Sequence, residues 1–257
     1  MIGSIAWRIY NYGFVATLRY WFTRKRTFSV GDSPLETLTI EELLELLELQ
    51  NLNVSLLNKN IESYMQLLRK DLELASIVDI KPVLSQETTV SRLLLLDILI
   101  RNFKFDYIIE TGTQHGVSTS IMSQVAREIP SPPRIISYDV DSPKMIRKED
   151  NVEYITLECP VRKNFVKHTS TLNQSKSLFF HDSDHTYENM TFEFNFAWNN
   201  LRVEIIIADD IEGNSAFSDF CHNNQLRGFI VMIGKGPALG FVSRELKVIQ
   251  SVPIKAI

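Results

Sequence analysis

FDYIIETGTQHGVST, residues 105–119, decides how the chain is read. FDYIIE has the apolar run of a short strand, and SIMSQVAREI (120–129) has the pattern of a helix. Between them a loop carries glycines at 112 and 116. Gly112 permits a tight turn and close backbone approach, and Gly116 lets the helix start against whatever the loop holds. The alternation then continues. RIISYDV (134–140), VEYITLE (152–158), SLFF (177–180) and EIIIAD (204–209) read as strands, and YENMTFEFNFAWNNL (187–201) as a helix. ETTVSRLLLLDILIRN (87–102) supplies a helix before the first strand. Strands alternating with helices call for a parallel sheet with crossovers on both faces. RGFIVMIG (227–234) and GFVSREL (240–246), joined through a Gly-rich loop, predict a closing antiparallel hairpin. The fold class is α/β, a doubly wound, mostly parallel sheet.

A chain of 257 residues can bury a sizeable core. Its formal charge of −4 gives no basic field, so no nucleic-acid partner is expected. Two cysteines, Cys159 and Cys221, form no metal or disulfide framework, which points to a reducing, cytoplasmic setting. Residues 1–84 read as a helical extension ahead of a domain over 85–257. Within it, Thr39 and Glu42 have the spacing of a capping box. Residues 1–31 are basic and aromatic, with Arg8, Trp7, Trp21 and Lys25 but no acidic residue. Two readings of that segment stay open: a helix packed on the domain or on a second copy of the chain, and an interfacial helix lying on a membrane. Its apolar run is too interrupted for a membrane span.

In a doubly wound sheet the first strand-to-helix turn opens on the crevice where nucleotides bind. The loop Glu110-Thr111-Gly112-Thr113-Gln114-His115-Gly116 resembles motif I of class I S-adenosylmethionine (SAM)-dependent methyltransferases, which reads E/D-x-G-x-x-x-G. It fits the dinucleotide fingerprint G-x-G-x-x-G less well, having three residues between its glycines. The resemblance implies a Rossmann-like sheet and places SAM on Glu110, Thr111, Gly112, Thr113, Gly116 and Ser118. Asp139, ending the second strand, can accept both ribose hydroxyls of an adenosine, a feature shared with nicotinamide enzymes.

FFHDSDHTYE (179–188) sets Asp182, Asp184, His185 and Glu188 behind an apolar strand, and EIIIADD ends in Asp209-Asp210. The pairing of D-x-D-H-x-Y with a later I-I-x-D-D is similar to the methyltransferase-24 family, including its macrocin-type sugar O-methyltransferases, and more distantly to catechol O-methyltransferases. In that fold the two strand ends lie together on the ligand face. Clustered carboxylates repel, and a divalent cation is the commonest relief. Oxygen ligands favour Mg²⁺ or another hard divalent cation. The resemblance assigns the metal to Asp182, Asp209 and Asp210, with Asp182 also beside the cofactor, and the general base to His185. Asp184 and Glu188 read as charges at the start of the next helix.

The resemblance covers roughly residues 85–245, as far as the alternating pattern runs. The chain departs from the family at three places: no Pro-Gly-Gly precedes the strand ending in Asp209, Glu158-Cys159-Pro160 replaces the usual third strand end, and His181 stands where an apolar residue is customary. The implied activity is metal-assisted O-methylation of a sugar or glycosylated small molecule. A SAM-binding module without turnover and a nicotinamide oxidoreductase are the alternatives.

Overall fold

The computed structural model describes residues 35–49, 52, 59–66, 87–141, 148–172, 176–232 and 238–246. The basic, aromatic segment 1–31 lies outside them, and both readings of it with it. The strands are β1 (Glu36–Thr39), β2 (Tyr107–Thr111), β3 (Arg134–Asp139), β4 (Val152–Thr156), β5 (Ser177–His181), β6 (Ile205–Ala208), β7 (Gly228–Met232) and β8 (Leu239–Ser243). They form one sheet in the order β1-β7-β8-β6-β5-β2-β3-β4. Neighbours run parallel except β8, which is antiparallel to both β6 and β7. The expected doubly wound sheet and hairpin are therefore present, with β8 inserted between β6 and β7.

The central strands read as unbroken apolar runs because both of their faces are covered. The pleat sends Ile108, Leu178, Phe180, Ile205 and Ile207 to one side. Ile109, Phe179, Ile206 and Ala208 go to the other. On the first side lies α3 (Glu87–Asn102), with Leu93–Leu96 and Ile98–Ile100 all buried. A helix apolar all round must be covered on more than its sheet side. Leu43 and Leu44 of α1 (Ile40–Leu46), with Ile61 and Met65 of α2 (59–66), belong to the same cluster. The second side is aromatic. Phe165 of α5 (Val161–Thr169), Phe194 of α6 (Tyr187–Phe196), and Phe217 and Phe220 of α7 (Ala216–Asn223) pack there. A π-helical turn at Ala197–Leu201 ends α6, and the Arg244 guanidinium stacks 3.9 Å over Trp198 within it. The remaining helix, α4 (Val117–Arg127), follows β2.

The N-terminal segment holds more than helix. Its Glu36–Thr39 adds the edge strand β1, parallel to β7. Thr39 then caps α1 as its spacing predicts, accepting from the Glu42 amide at 3.2 Å while its own amide donates to the Glu42 carboxylate at 2.7 Å. A polar network ties α2, α3 and α4 together: Tyr64 donates to Glu128 at 2.6 Å, and Arg101 bridges Glu128 (2.7 Å) and the buried Asp97 (2.8 Å).

Candidate active site

Register builds the site. Thr111 pairs with His181, and His181 with Ala208, so the residues after them emerge side by side. The ladder runs one residue further. The Asp182 amide donates to the Thr111 carbonyl and the Asp209 amide to the His181 carbonyl, each at 2.9 Å. Gly112, Asp182 and Asp209 thus share one edge, as adjacent parallel strands require.

Gly112 is needed at this edge by its neighbour as much as by any ligand. Its φ is +92°, and a Cβ there would lie 2.0 Å from the Asp182 carbonyl oxygen. Gly116, also left-handed at φ +73°, starts α4 with no side-chain cap, leaving first-turn N–H groups open to an anion. Asp139 reaches the same loop. Its carboxylate accepts from the Gln114 amide at 2.7 Å and the Asp141 amide at 3.1 Å.

Four expected cofactor side chains turn inward instead. Glu110 is fully buried and accepts from the hydroxyls of Ser118, Thr119 and Ser137, each at 2.5 Å. Burial pushes its carboxyl above the usual range, and the three hydroxyls and Arg92 pull the other way. Thr113 shares a 2.6 Å hydrogen bond with Ser137, and Thr111 donates to Glu193 at 2.6 Å. Glu110, Thr111, Thr113 and Ser118 therefore brace the glycine loop from behind, because a buried carboxylate must be satisfied by donors close at hand.

Glu193 is the second buried anchor, and the sequence reading missed it. From α6 it meets His181 Nδ1 at 2.7 Å, and it accepts from Ser183 and Asn189, each at 2.9 Å. Burial raises its carboxyl, but His181 and these donors outweigh burial and hold it below the usual range. His181, unusual at a strand end, is thus explained by the acid behind it.

At the mouth stand Asp182, Asp209, Asp210 and His185. The His185 Nε2 lies 3.8 Å from Asp182 Oδ1 and its Nδ1 3.6 Å from Asp210 Oδ2, near enough for electrostatic attraction but too long for hydrogen bonds. Its side chain is 28% exposed, and its ring packs edge-on to His181 at 5.4 Å. Burial, with His181 adding to it, lowers the His185 pKa despite the acidic residues around it. Asp210 has a left-handed backbone, φ +50°, a strained conformation that recurs at functional sites. Burial raises the carboxyls of Asp182 and Asp210, and Asp209 adds repulsion to both. The following helix is capped by Thr186, whose hydroxyl accepts from the Asn189 amide and donates to Asp184; Glu188 lies in its first turn.

The expected metal set is brought together, but around a side chain, Arg92, that the sequence reading did not single out. Arg92 of α3 donates through Nη1 to Asp182 Oδ2 at 3.0 Å and to Asp209 Oδ2. No group of three or more His, Cys, Asp or Glu suited to a metal ion occurs among the described residues. As arranged, the three aspartates do not fit a divalent ion. A lone arginine heading RLLLLD, ahead of strands ending in three aspartates, is the signal that charge balance could have caught.

None of the curated proteins matches the sequence. Among solved structures, the apo TDP-rhamnose 3'-O-methyltransferase CalS11 of calicheamicin biosynthesis aligns at 15% identity and TM-score 0.48, over 71% of this chain and 93% of its own. The SAH-bound Podospora anserina methyltransferase PaMTH1 aligns at 13% identity and TM-score 0.48, over 79% and 96%. The O-methyltransferase from Bacillus cereus, in complex with SAH, aligns at 16% identity and TM-score 0.43, over 71% and 91%. The methyltransferase-domain family model matches residues 109–211, which run from β2 to the turn behind β6. Over that stretch the chain is similar to the methyltransferase-24 family of methyltransferase domains.

Proposed function

We propose that the chain moves the methyl group of SAM to a hydroxyl oxygen of a small molecule, a sugar or glycosylated compound being the acceptor class, with His185 as the general base. The observation that carries this reading is His185 itself. A partly exposed imidazole stands between two carboxylates at the strand ends, on the loop that Gly112 touches.

The residues fit SAM. The uncapped start of α4 suits its carboxylate, and Asp139 at the rim of the glycine loop suits the ribose hydroxyls. Bound there, SAM supplies a methyl group on a sulfonium that leaves as a neutral thioether. The chain's own share is placement and proton transfer. The acceptor's O–H proton passes to His185 Nε2, a nitrogen buried without a hydrogen-bond partner among the described residues. As oxygen gains the methyl carbon, the imidazolium that forms is stabilised by Asp182 and Asp210. Glu193 and His181 hold the strand end beneath it. Correct alignment supplies much of the remaining rate.

Calorimetric titration with SAM and with NAD⁺ tests the cofactor. SAM binding supports the reading, and binding of NAD⁺ alone replaces it with an oxidoreductase. Labelled methyl transfer to a panel of free and nucleotide-linked sugars tests the acceptor class. His185→Gln should keep SAM affinity and slow transfer about a hundredfold. Because the lowered His185 pKa keeps the base neutral, turnover should be flat above about pH 6.5 and fall only on the acid side. A profile still climbing through neutrality removes His185 from the role.

A further inference from the structure

The carboxylates at the strand ends need a positive charge. Asp209 is 4% exposed, Asp182 packs beside it, Asp210 follows directly, and Glu110 is buried behind them. Like charges so close are costly to bury unless a cation sits among them. Arg92 is that cation. A single nitrogen, Nη1, reaches one oxygen of Asp182 and one of Asp209, and the arginine side chain is only 19% exposed.

We propose that Arg92 takes the place of a divalent metal ion at this site, so that the enzyme needs no metal. A guanidinium stays charged at any working pH. A hard divalent ion would need the carboxylate oxygens that Nη1 already occupies, at metal–oxygen distances of about 2.0–2.6 Å. It would also lie against the guanidinium's own charge. Arg92 is not a surface side chain that can swing away. It stands on a helix whose next four residues, Leu93–Leu96, are buried to 1% exposure or less, and Arg101 ties the helix further along to Glu128 at the end of α4. One further atom completes the arrangement. Asp209 Oδ1 is buried with no hydrogen-bond partner among the described residues, leaving an acceptor beside the guanidinium.

The inference builds on the site described under the proposed function, but its test needs neither SAM nor an acceptor. Purified full-length chain, stripped with chelator, is titrated with Mn²⁺ and followed by the loss of the free-ion electron paramagnetic resonance signal. The wild-type chain should take up no Mn²⁺ at millimolar concentration. Arg92→Met, checked for native circular dichroism, should take up one ion per chain. Arg92→Lys, which keeps the charge, should again take up none. One Mn²⁺ bound by the wild-type chain and lost in Asp182→Asn overturns the proposal, whatever the variants at Arg92 do. A folded Arg92→Met that binds no ion also overturns it. In parallel, SAM affinity should be the same with chelator as with Mg²⁺. A chain that binds neither SAM nor Mn²⁺ sinks the proposed activity and leaves the assignment of Arg92 standing.

Discussion

Glu110 and Asp182 sit two residues apart in sheet register, at the ends of neighbouring strands, and the protein treats their charges in opposite ways. Glu110 is fully buried and answered by three neutral hydroxyls, from Ser118, Thr119 and Ser137, all within residues 109–211. Asp182 is about one-fifth exposed and answered by a full charge from Arg92, on a helix before that stretch. Hydroxyl donors at close range fix geometry and leave nothing over for a ligand. A guanidinium shared between two aspartates balances charge while leaving other carboxylate atoms open. One acidic strand end is scaffold, and the other, under the proposed function, is a working surface.

Gly112→Val should have the largest effect, since it strikes the seam between the two. Its Cβ would meet the Asp182 carbonyl at 2.0 Å on a backbone at φ +92°, so both ends must shift. We expect a loss of about 4 kcal/mol and a Tm lower by about 10 °C in thermal melts. A near-native Tm would show that the contact is dispensable.

Glu110→Ala sharpens the scaffold side. Three hydroxyls would lose their acceptor in a buried place, costing about 3 kcal/mol in urea unfolding. A loss below about 1 kcal/mol would mean the hydroxyls find other partners.

Asp182→Asn should have the smallest effect, within about 1 kcal/mol at neutral pH, because relief of burial and repulsion offsets the lost ion pair. The same substitution tests the sign of the pH dependence. With its pKa raised, Asp182 binds protons more readily folded than unfolded, so stability contributed by its protonated form is lost as pH climbs from about 4. The Asn variant should lose less stability than wild type between about pH 4 and pH 8. Parallel curves would place the repulsion elsewhere.

The sequence is most legible where one residue type repeats at one period. The apolar runs before Glu110, Asp139, His181 and Asp209 mark strands buried on both faces, and the polar residues that end them gather along one edge of the sheet. β1 was not legible, because ETLT buries a single residue, Leu38, and edge strands leave little pattern. α5 hid in a polar stretch for a similar reason: only Phe165 and Thr169 of VRKNFVKHT are buried. Arg92 was missed because it heads a run of core leucines, and Glu193 because a single acid in a mixed helix looks like a solvent-facing charge. Asp182 and Asp209, the partners of Arg92, lie 90 and 117 residues away, a distance at which local pattern carries no signal. Glu193, by contrast, meets His181, Ser183 and Asn189 within twelve residues and was legible in principle.

The position of β8 bears on how the chain matures. β8 forms hydrogen bonds with both β6 and β7, yet it is the last described strand to be synthesised. Until residues 239–243 leave the ribosome, β6 and β7 each expose a row of unpaired amides and carbonyls toward an empty slot. A nascent chain halted there would present two apolar, half-paired edges, the kind of surface on which holding chaperones act and strand-to-strand aggregation begins.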